Sequence, residues 1–227
     1  MCLDGWMHDE ARPVLAAGAL ADALRSRTRS LHREAESSGI MHDLLRGVGS
    51  RRGYALLLRN LLPVYRELEA GLERLKHAPG VRTIQEPALC RVHPIESDLA
   101  SLYGAQWPRS LPLLAAGVRY ADVVSAAGRG DGARLIAHAY VRYLGDLNGG
   151  RVMKERLRRT PGLDTQQLAF FEFPGIADLD RFRSRYRRSF DLAARDLPDL
   201  EPVLAEAELA FRLNIDLSCA VQASAVA

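Results

Sequence analysis

Four side chains early in the chain, Arg25, Arg29, His32 and Glu36, recur at intervals of four, three and four residues. On a helix this spacing places them within roughly 60° of one another. A neutral imidazole can ligate a metal. A carboxylate one turn later can fix the ring's tautomer through its second nitrogen, and guanidinium groups one and two turns earlier can pair with acidic groups on a ligand. For an arbitrary helix, a solvated polar face carrying a surface histidine is the commoner explanation.

A second unusual stretch is Ala137-His138-Ala139-Tyr140-Val141-Arg142-Tyr143-Leu144-Gly145-Asp146-Leu147-Asn148-Gly149-Gly150. Helical periodicity continues through it, with Leu135, Ala139 and Tyr143 before the glycines and Val152 and Met153 after them. Three glycines inside a helix cost on the order of 3 kcal/mol relative to alanine, so a compensating reason is expected. Gly145 and Gly149 share a face, which would let a flat ligand or a second helix approach the backbone closely. Asp146 beside that bare face could organise water and protons for catalysis, or could pair with Arg142 one turn earlier.

Arginines also border a third face. Leu179, Phe182, Tyr186, Phe190 and Ala193 form its apolar stripe, and Arg183 and Arg187 flank it, suited to carboxylates at the mouth of an apolar pocket. Arg181, Arg185 and Arg188 point elsewhere, to solvent or to an acidic partner.

The elements that must position these groups are all helical. Apolar residues recur every three or four positions and sustained two-residue alternation is scarce, so the chain reads as all-α. Helices are expected at roughly 18–37, 51–77, 95–105, 111–127, 132–159, 165–173, 178–196 and 199–221. Breaks fall at Gly39, Gly80, Gly128 with Gly130, and Pro161 with Gly162. In the first helix Leu20, Leu24, Leu31 and Ala35 form the core stripe. Pro63 should kink the second helix without ending it. Residues 18–222 are read as one domain, after a loosely ordered segment 1–17 and before a short tail 223–227.

The 227 residues suffice for a single domain with a sizeable core, and the net charge of +3 gives no general reason to bind nucleic acid. Cys2, Cys90 and Cys219 are odd in number and lack zinc-site spacing, which fits a reducing cytoplasm. The N-terminal residues do not read as a signal peptide, and the small residues from Ala220 to Ala227 are too few to span a bilayer. No strand followed by a glycine-rich phosphate loop is expected.

Three blocks resemble the heme oxygenases in order and separation: Leu31-His32-Arg33-Glu34-Ala35-Glu36, the glycine-containing stretch 137–150, and Ala169-Phe170-Phe171-Glu172-Phe173-Pro174-Gly175-Ile176. The resemblance runs from about Leu20 to about Leu217, and its central motif is highly specific. It implies heme b, substrate and cofactor at once, held between a proximal helix and a kinked distal helix. His32 would ligate the iron and Glu36 would hold its other ring nitrogen. Arg25, Tyr140 and Arg187 would contact the propionates, with Arg29 and Arg183 nearby. Gly145, Gly149 and Asp146 would form the distal side, Asp146 anchoring its water, and Phe211 and Asn214 match a pair in the family's last helix.

The implied reaction consumes O2 and electrons and yields biliverdin, carbon monoxide and ferrous iron. Ferredoxin or a flavin- or NAD(P)H-dependent reductase would be the donor, and a bilin acceptor is a further partner in keeping with the family. Arginine stands at 25, 29 and 183 where relatives often carry lysine, and Asn148 stands where animal relatives carry serine. These departures bear on ring orientation rather than on heme binding. A non-catalytic heme carrier would need His32 and the arginines but not Asp146. A di-iron oxygenase is disfavoured because no Glu-x-x-His pair occurs in the chain. A thiamin-degrading hydrolase is disfavoured because no cysteine has a recognisable partner.

Overall fold

Periodic apolar residues become twelve helical segments in a computed structural model, which describes residues 19–226. They are α1 Ala19–Arg27, α2 Arg29–Glu36, α3 Gly39–Arg46, α4 Arg51–Arg74, α5 Val81–Ile84, α6 Val92–Tyr103, α7 Trp107–Ser110, α8 Ala115–Arg129, α9 Ala133–Ala139, α10 Gly145–Leu157, α11 Leu179–Ala194 and α12 Glu201–Val226. No strand occurs among the described residues. Cys2 and the N-terminal segment read as loosely ordered lie outside the described residues.

The core is organised on α4, which packs along α8 and also against α6 and α12. Leu56, Leu58, Leu62, Tyr65 and Leu68 of α4 are completely buried. Each buried leucine of this kind contributes roughly 1.5–3 kcal/mol of hydrophobic stabilisation. The Ser50 hydroxyl caps α4 by accepting from the Gly53 N–H at 3.0 Å, and the helix passes through Pro63 without a break.

Several expected boundaries differ from the structure. The helix expected over 18–37 is divided at Thr28, whose hydroxyl donates to the Leu24 carbonyl at 2.7 Å, although Leu20, Leu24, Leu31 and Ala35 all face the core. The segment 39–46, expected as a break, is α3. Gly39 starts it with φ of +55° against α12, where an added Cβ would lie 2.3 Å from the Ser218 carbonyl carbon. The helix expected over 165–173 is instead two short 3₁₀ turns, Thr165–Gln167 and Ala169–Phe171. Its Ala169 and Phe170 amides are taken by the Asp98 side chain of α6, which defeats the local periodicity. At the C-terminus α12 continues through residues 223–226, which had been read as part of a tail.

The helix expected over 132–159 has the greatest bearing on the site. Between α9 and α10 the five residues Tyr140–Leu144 form one wider π turn, with hydrogen bonds spanning five residues instead of four. This extra residue per turn shifts the register of everything that follows, so α9 and α10 present different faces to their surroundings.

Candidate active site

α1 and α2 on one side, and the π turn with α10 on the other, enclose a cleft of about 860 Å³. This lies within the usual range for small-molecule and cofactor sites. His32 stands on the α2 wall with its side chain about half exposed (55%). Glu36 follows one turn later, with its Oε1 3.7 Å from the His32 Nδ1, beyond hydrogen-bond distance. With Nδ1 on the Glu36 side, Nε2 remains for a ligand. The ring centroid of Phe211 from α12 lies 5.8 Å from that of His32 and backs the imidazole.

The facing wall is bare at two positions. A Cβ built on Gly145 or on Gly149 would meet nothing within 4 Å, so neither glycine serves helix packing, and their bare backbone opens onto the cleft. A Cβ built on Gly150, by contrast, would lie 3.6 Å from Cδ1 of the Phe171 ring. Leu57, Leu61, Val141, Leu144, Phe170 and Phe171 make the interior apolar. The space left between an imidazole and two glycines suits a flat, largely apolar ligand.

Arginines surround the opening. Arg25, Arg29, Arg33, Arg183 and Arg187 all line the cleft, as does Tyr140. Arg187 pairs with Asp22 at 2.7 Å and Arg183 with Asp180 at 3.0 Å. Among the described residues, Arg25 and Arg29 have no carboxylate within ion-pair distance. A rim of this composition favours a ligand carrying carboxylates.

Asp146 lies buried at the start of α10. Tyr65 donates its phenolic hydrogen to Asp146 Oδ2 at 2.5 Å, and the same hydroxyl accepts from Arg142 Nε and Nη2 at 3.1 Å each. Arg142 Nη1 in turn donates to Asn214 Oδ1 at 2.7 Å, and Arg142 Nη2 lies 3.5 Å from Asp146 Oδ1. Burial raises the Asp146 carboxyl above the usual range against the opposing pull of Arg142 and Tyr65, and burial also holds the Tyr65 phenol protonated. Tyr65 thus hydrogen-bonds the carboxylate at the edge of the cleft directly, and Arg142 supports it through the phenol and by its charge.

Every site residue expected from the sequence lines this one cleft: His32, Arg25, Arg29, Glu36, Tyr140, Arg142, Gly145, Asp146, Gly149, Arg183, Arg187, Phe211 and Asn214. Arg181, Arg185 and Arg188 of α11 do not line the cleft, whereas Arg183 and Arg187 do. Arg185 reaches Glu86 at 2.9 Å and stacks over Phe182. His138 is completely buried, with its Nε2 2.9 Å from Glu206 Oε1, and does not line the cleft. Sequence reasoning missed Tyr65, which sits in an apolar stretch of α4 whose period gives no hint of a polar partner. Arg142 was expected as the obvious partner of Asp146. It is one of two, and Tyr65 is the closer.

The heme oxygenase family model matches residues 18–220. Heme oxygenase 1 of Homo sapiens is 36% identical over 201 residues, covering 87% of this chain and 70% of its own length. Heme oxygenase 1 of Synechocystis is 34% identical over 198 residues, covering 87% and 82%. Among solved structures, heme oxygenase-1 from Synechocystis in complex with heme superposes with a TM-score of 0.83 at 33% identity, covering 91% of this chain and 94% of that one. Heme oxygenase from Leptospira interrogans gives 0.82 at 32% identity, covering 88% and 98%. No described helix is long and apolar enough to cross a membrane. The match extends over nearly all the described helices, including both walls of the cleft, and the chain belongs to the heme oxygenase family.

Proposed function

We propose that this member of the family binds heme b in the cleft between α2 and α10 and opens its ring, with His32 as the iron ligand and Asp146 as the anchor of proton delivery. The observation that carries this reading is the bare backbone of Gly145 and Gly149 facing a histidine across an apolar gap with an arginine rim. Bound heme supplies the redox chemistry, reacting with O2 and with electrons from an external ferredoxin or reductase to give biliverdin, carbon monoxide and ferrous iron.

The chain's own groups bind, orient and move protons. His32 coordinates through Nε2, while Glu36 favours the tautomer that carries its hydrogen on Nδ1. Arg25, Arg29, Arg183 and Arg187 hold the two propionates and fix the rotation of the ring, with Tyr140 at the same edge. Arg187 would have to share or leave its Asp22 partner to meet a propionate, and Arg183 its Asp180 partner. On the other wall the Tyr65–Asp146–Arg142 cluster holds a carboxylate oxygen where a water can dock and pass its proton to the reacting centre. The apolar lining keeps other water away.

This cluster distinguishes an oxygenase from a heme carrier, which has no use for it. The test is to load the protein with hemin under anaerobic conditions, admit O2 with a reductant and catalase, and separate the products by chromatography. Biliverdin with released carbon monoxide is expected. Intact hemin after many equivalents of reductant would refute ring opening.

A further inference from the structure

Phe170 and Phe171 form part of the cleft's wall but belong to a single 3₁₀ turn, Ala169–Phe171, which is too short to hold its own position. Two buried charged side chains that do not line the cleft hold it from opposite sides. From within α6, Asp98 accepts the Ala169 N–H on Oδ1 at 2.8 Å and the Phe170 N–H on Oδ2 at 2.9 Å. Its Oδ2 also accepts from the Tyr54 hydroxyl of α4 at 2.9 Å. At the entry to α6, Arg91 donates through Nη1 to the carbonyls of Phe170 at 3.2 Å and Glu172 at 2.6 Å. Its guanidinium lies 4.2 Å from the Phe173 ring centroid. The amides are thus held by a carboxylate and the carbonyls by a guanidinium, seven residues apart on one element.

What they hold bears directly on the site. The Phe170 ring packs edge-on to Tyr65 at 5.8 Å, and Phe171 stacks on Tyr54 at 6.0 Å and closes on Gly150 of α10. Displacing the turn would move an apolar wall of the cleft and the support behind the phenol that donates to Asp146. Burying two charges is costly, and plain wall-building would need only apolar contacts. Charge-assisted hydrogen bonds give the turn a fixed height that packing alone would leave adjustable.

We infer that Asp98 and Arg91 are positioning residues that set the height of the Phe170–Phe171 wall, and through it the edge of the ring that is left open to oxidation. This rests on the proposed function, so its test has one arm that needs no heme. Asp98→Asn offers one acceptor oxygen in place of two, leaving an amide of Ala169 or Phe170 unpaired. In the heme-free protein, hydrogen exchange at these two amides should rise about tenfold or more, while α4 and α12 keep their protection. In the hemin-loaded variant the His32-ligated spectrum should be retained. The ring's methyl resonances should shift and the distribution of biliverdin isomers should depart from the parent's.

Unchanged exchange at these amides would overturn the clamp. Faster exchange with the parental isomer distribution would overturn its control of regiochemistry. Should Asp98→Asn not fold, Arg91→Met carries the same test, because it keeps the buried stem but can donate to neither the Phe170 nor the Glu172 carbonyl. A parent protein that takes up no hemin would sink the functional reading instead, and the heme-free exchange arm would still read the clamp.

Discussion

His32 has no folding duty that its removal would confuse with loss of ligation. Its side chain is about half exposed, and its neighbours are the Glu36 carboxylate and one face of Phe211. His32→Ala should therefore change the stability of the heme-free protein by no more than about 0.5 kcal/mol. Hemin would still enter the apolar slot, with an altered iron spectrum and little turnover, and added imidazole should restore the parental spectrum. A parental spectrum without imidazole would refute ligation by His32, and His138 could not stand in, being buried on Glu206. Asp146 differs because it is buried within a cluster. Asp146→Ala should still bind hemin through His32 and the rim arginines, while ring opening falls by about 100-fold or more. Peroxide-driven oxidation of an added phenol should rise in compensation, because the water that directs the productive proton is lost. Biliverdin formed at the parental rate would refute this role.

The two walls of the cleft show how much of the site was legible in the sequence. On α1 and α2 the period of 3.6 residues placed Arg25, Arg29, His32 and Glu36 on one face, and the division at Thr28 left that face intact. On α11 the border position of Arg183 and Arg187 followed from the same geometry. The other wall was half legible: glycine placement marked it, but the π turn at Tyr140–Leu144 is a hydrogen-bond register with no composition of its own. Tyr65 and Asp98 were illegible for a further reason. Each matters through a partner distant in sequence, 72 residues away for Asp98 and Phe170 and 81 for Tyr65 and Asp146, and no local period encodes such pairings. The bare wall itself gives a prediction. Since a Cβ on Gly149 meets nothing, Gly149→Ala should gain helix propensity of up to about 1 kcal/mol and raise the heme-free Tm by roughly 2–4 °C. The same methyl intrudes on the ligand's space and should weaken hemin binding by about tenfold or more, a loss of ~1.4 kcal/mol. Calorimetry of the heme-free protein and hemin titration should thus move in opposite directions; a variant that binds hemin as the parent does would place the ring elsewhere.

Among the described residues, three carboxylates share one electrostatic feature: the half-buried Glu69 of α4, which accepts the backbone amides of Arg91 and Val92 at the start of α6, the buried Asp98 beneath the Ala169–Phe171 turn, and the buried Asp146 at the cleft. Burial pushes all three above their ordinary range, outweighing the hydrogen bonds and neighbouring cations that pull them down. The sign of the consequence follows from proton counting. A raised native pKa means that, between the unfolded and folded values, the folded state carries more protons than the unfolded one, so the free energy of unfolding increases as pH falls through that window. The exposed Glu73 carboxyl acts the other way: held down chiefly by its hydrogen bond to Lys76, it loses its contribution on acidification. The buried set should therefore offset part of the usual acid destabilisation, by at most about 1.4 kcal/mol per pH unit for each group. Denaturant unfolding of the heme-free protein, followed from neutral pH down to the ordinary carboxylate range, measures this directly. Asp146→Asn, which keeps the volume but cannot titrate, should remove one group's share, so that its stability falls more steeply with acid than the parent's. Parallel pH profiles for the two proteins would mean that Asp146 titrates alike folded and unfolded. The same ionisation links folding to chemistry: the carboxylate needed in the cleft is the one whose charge the fold disfavours, and turnover should therefore fail on the acid side at a pH above the ordinary aspartate range.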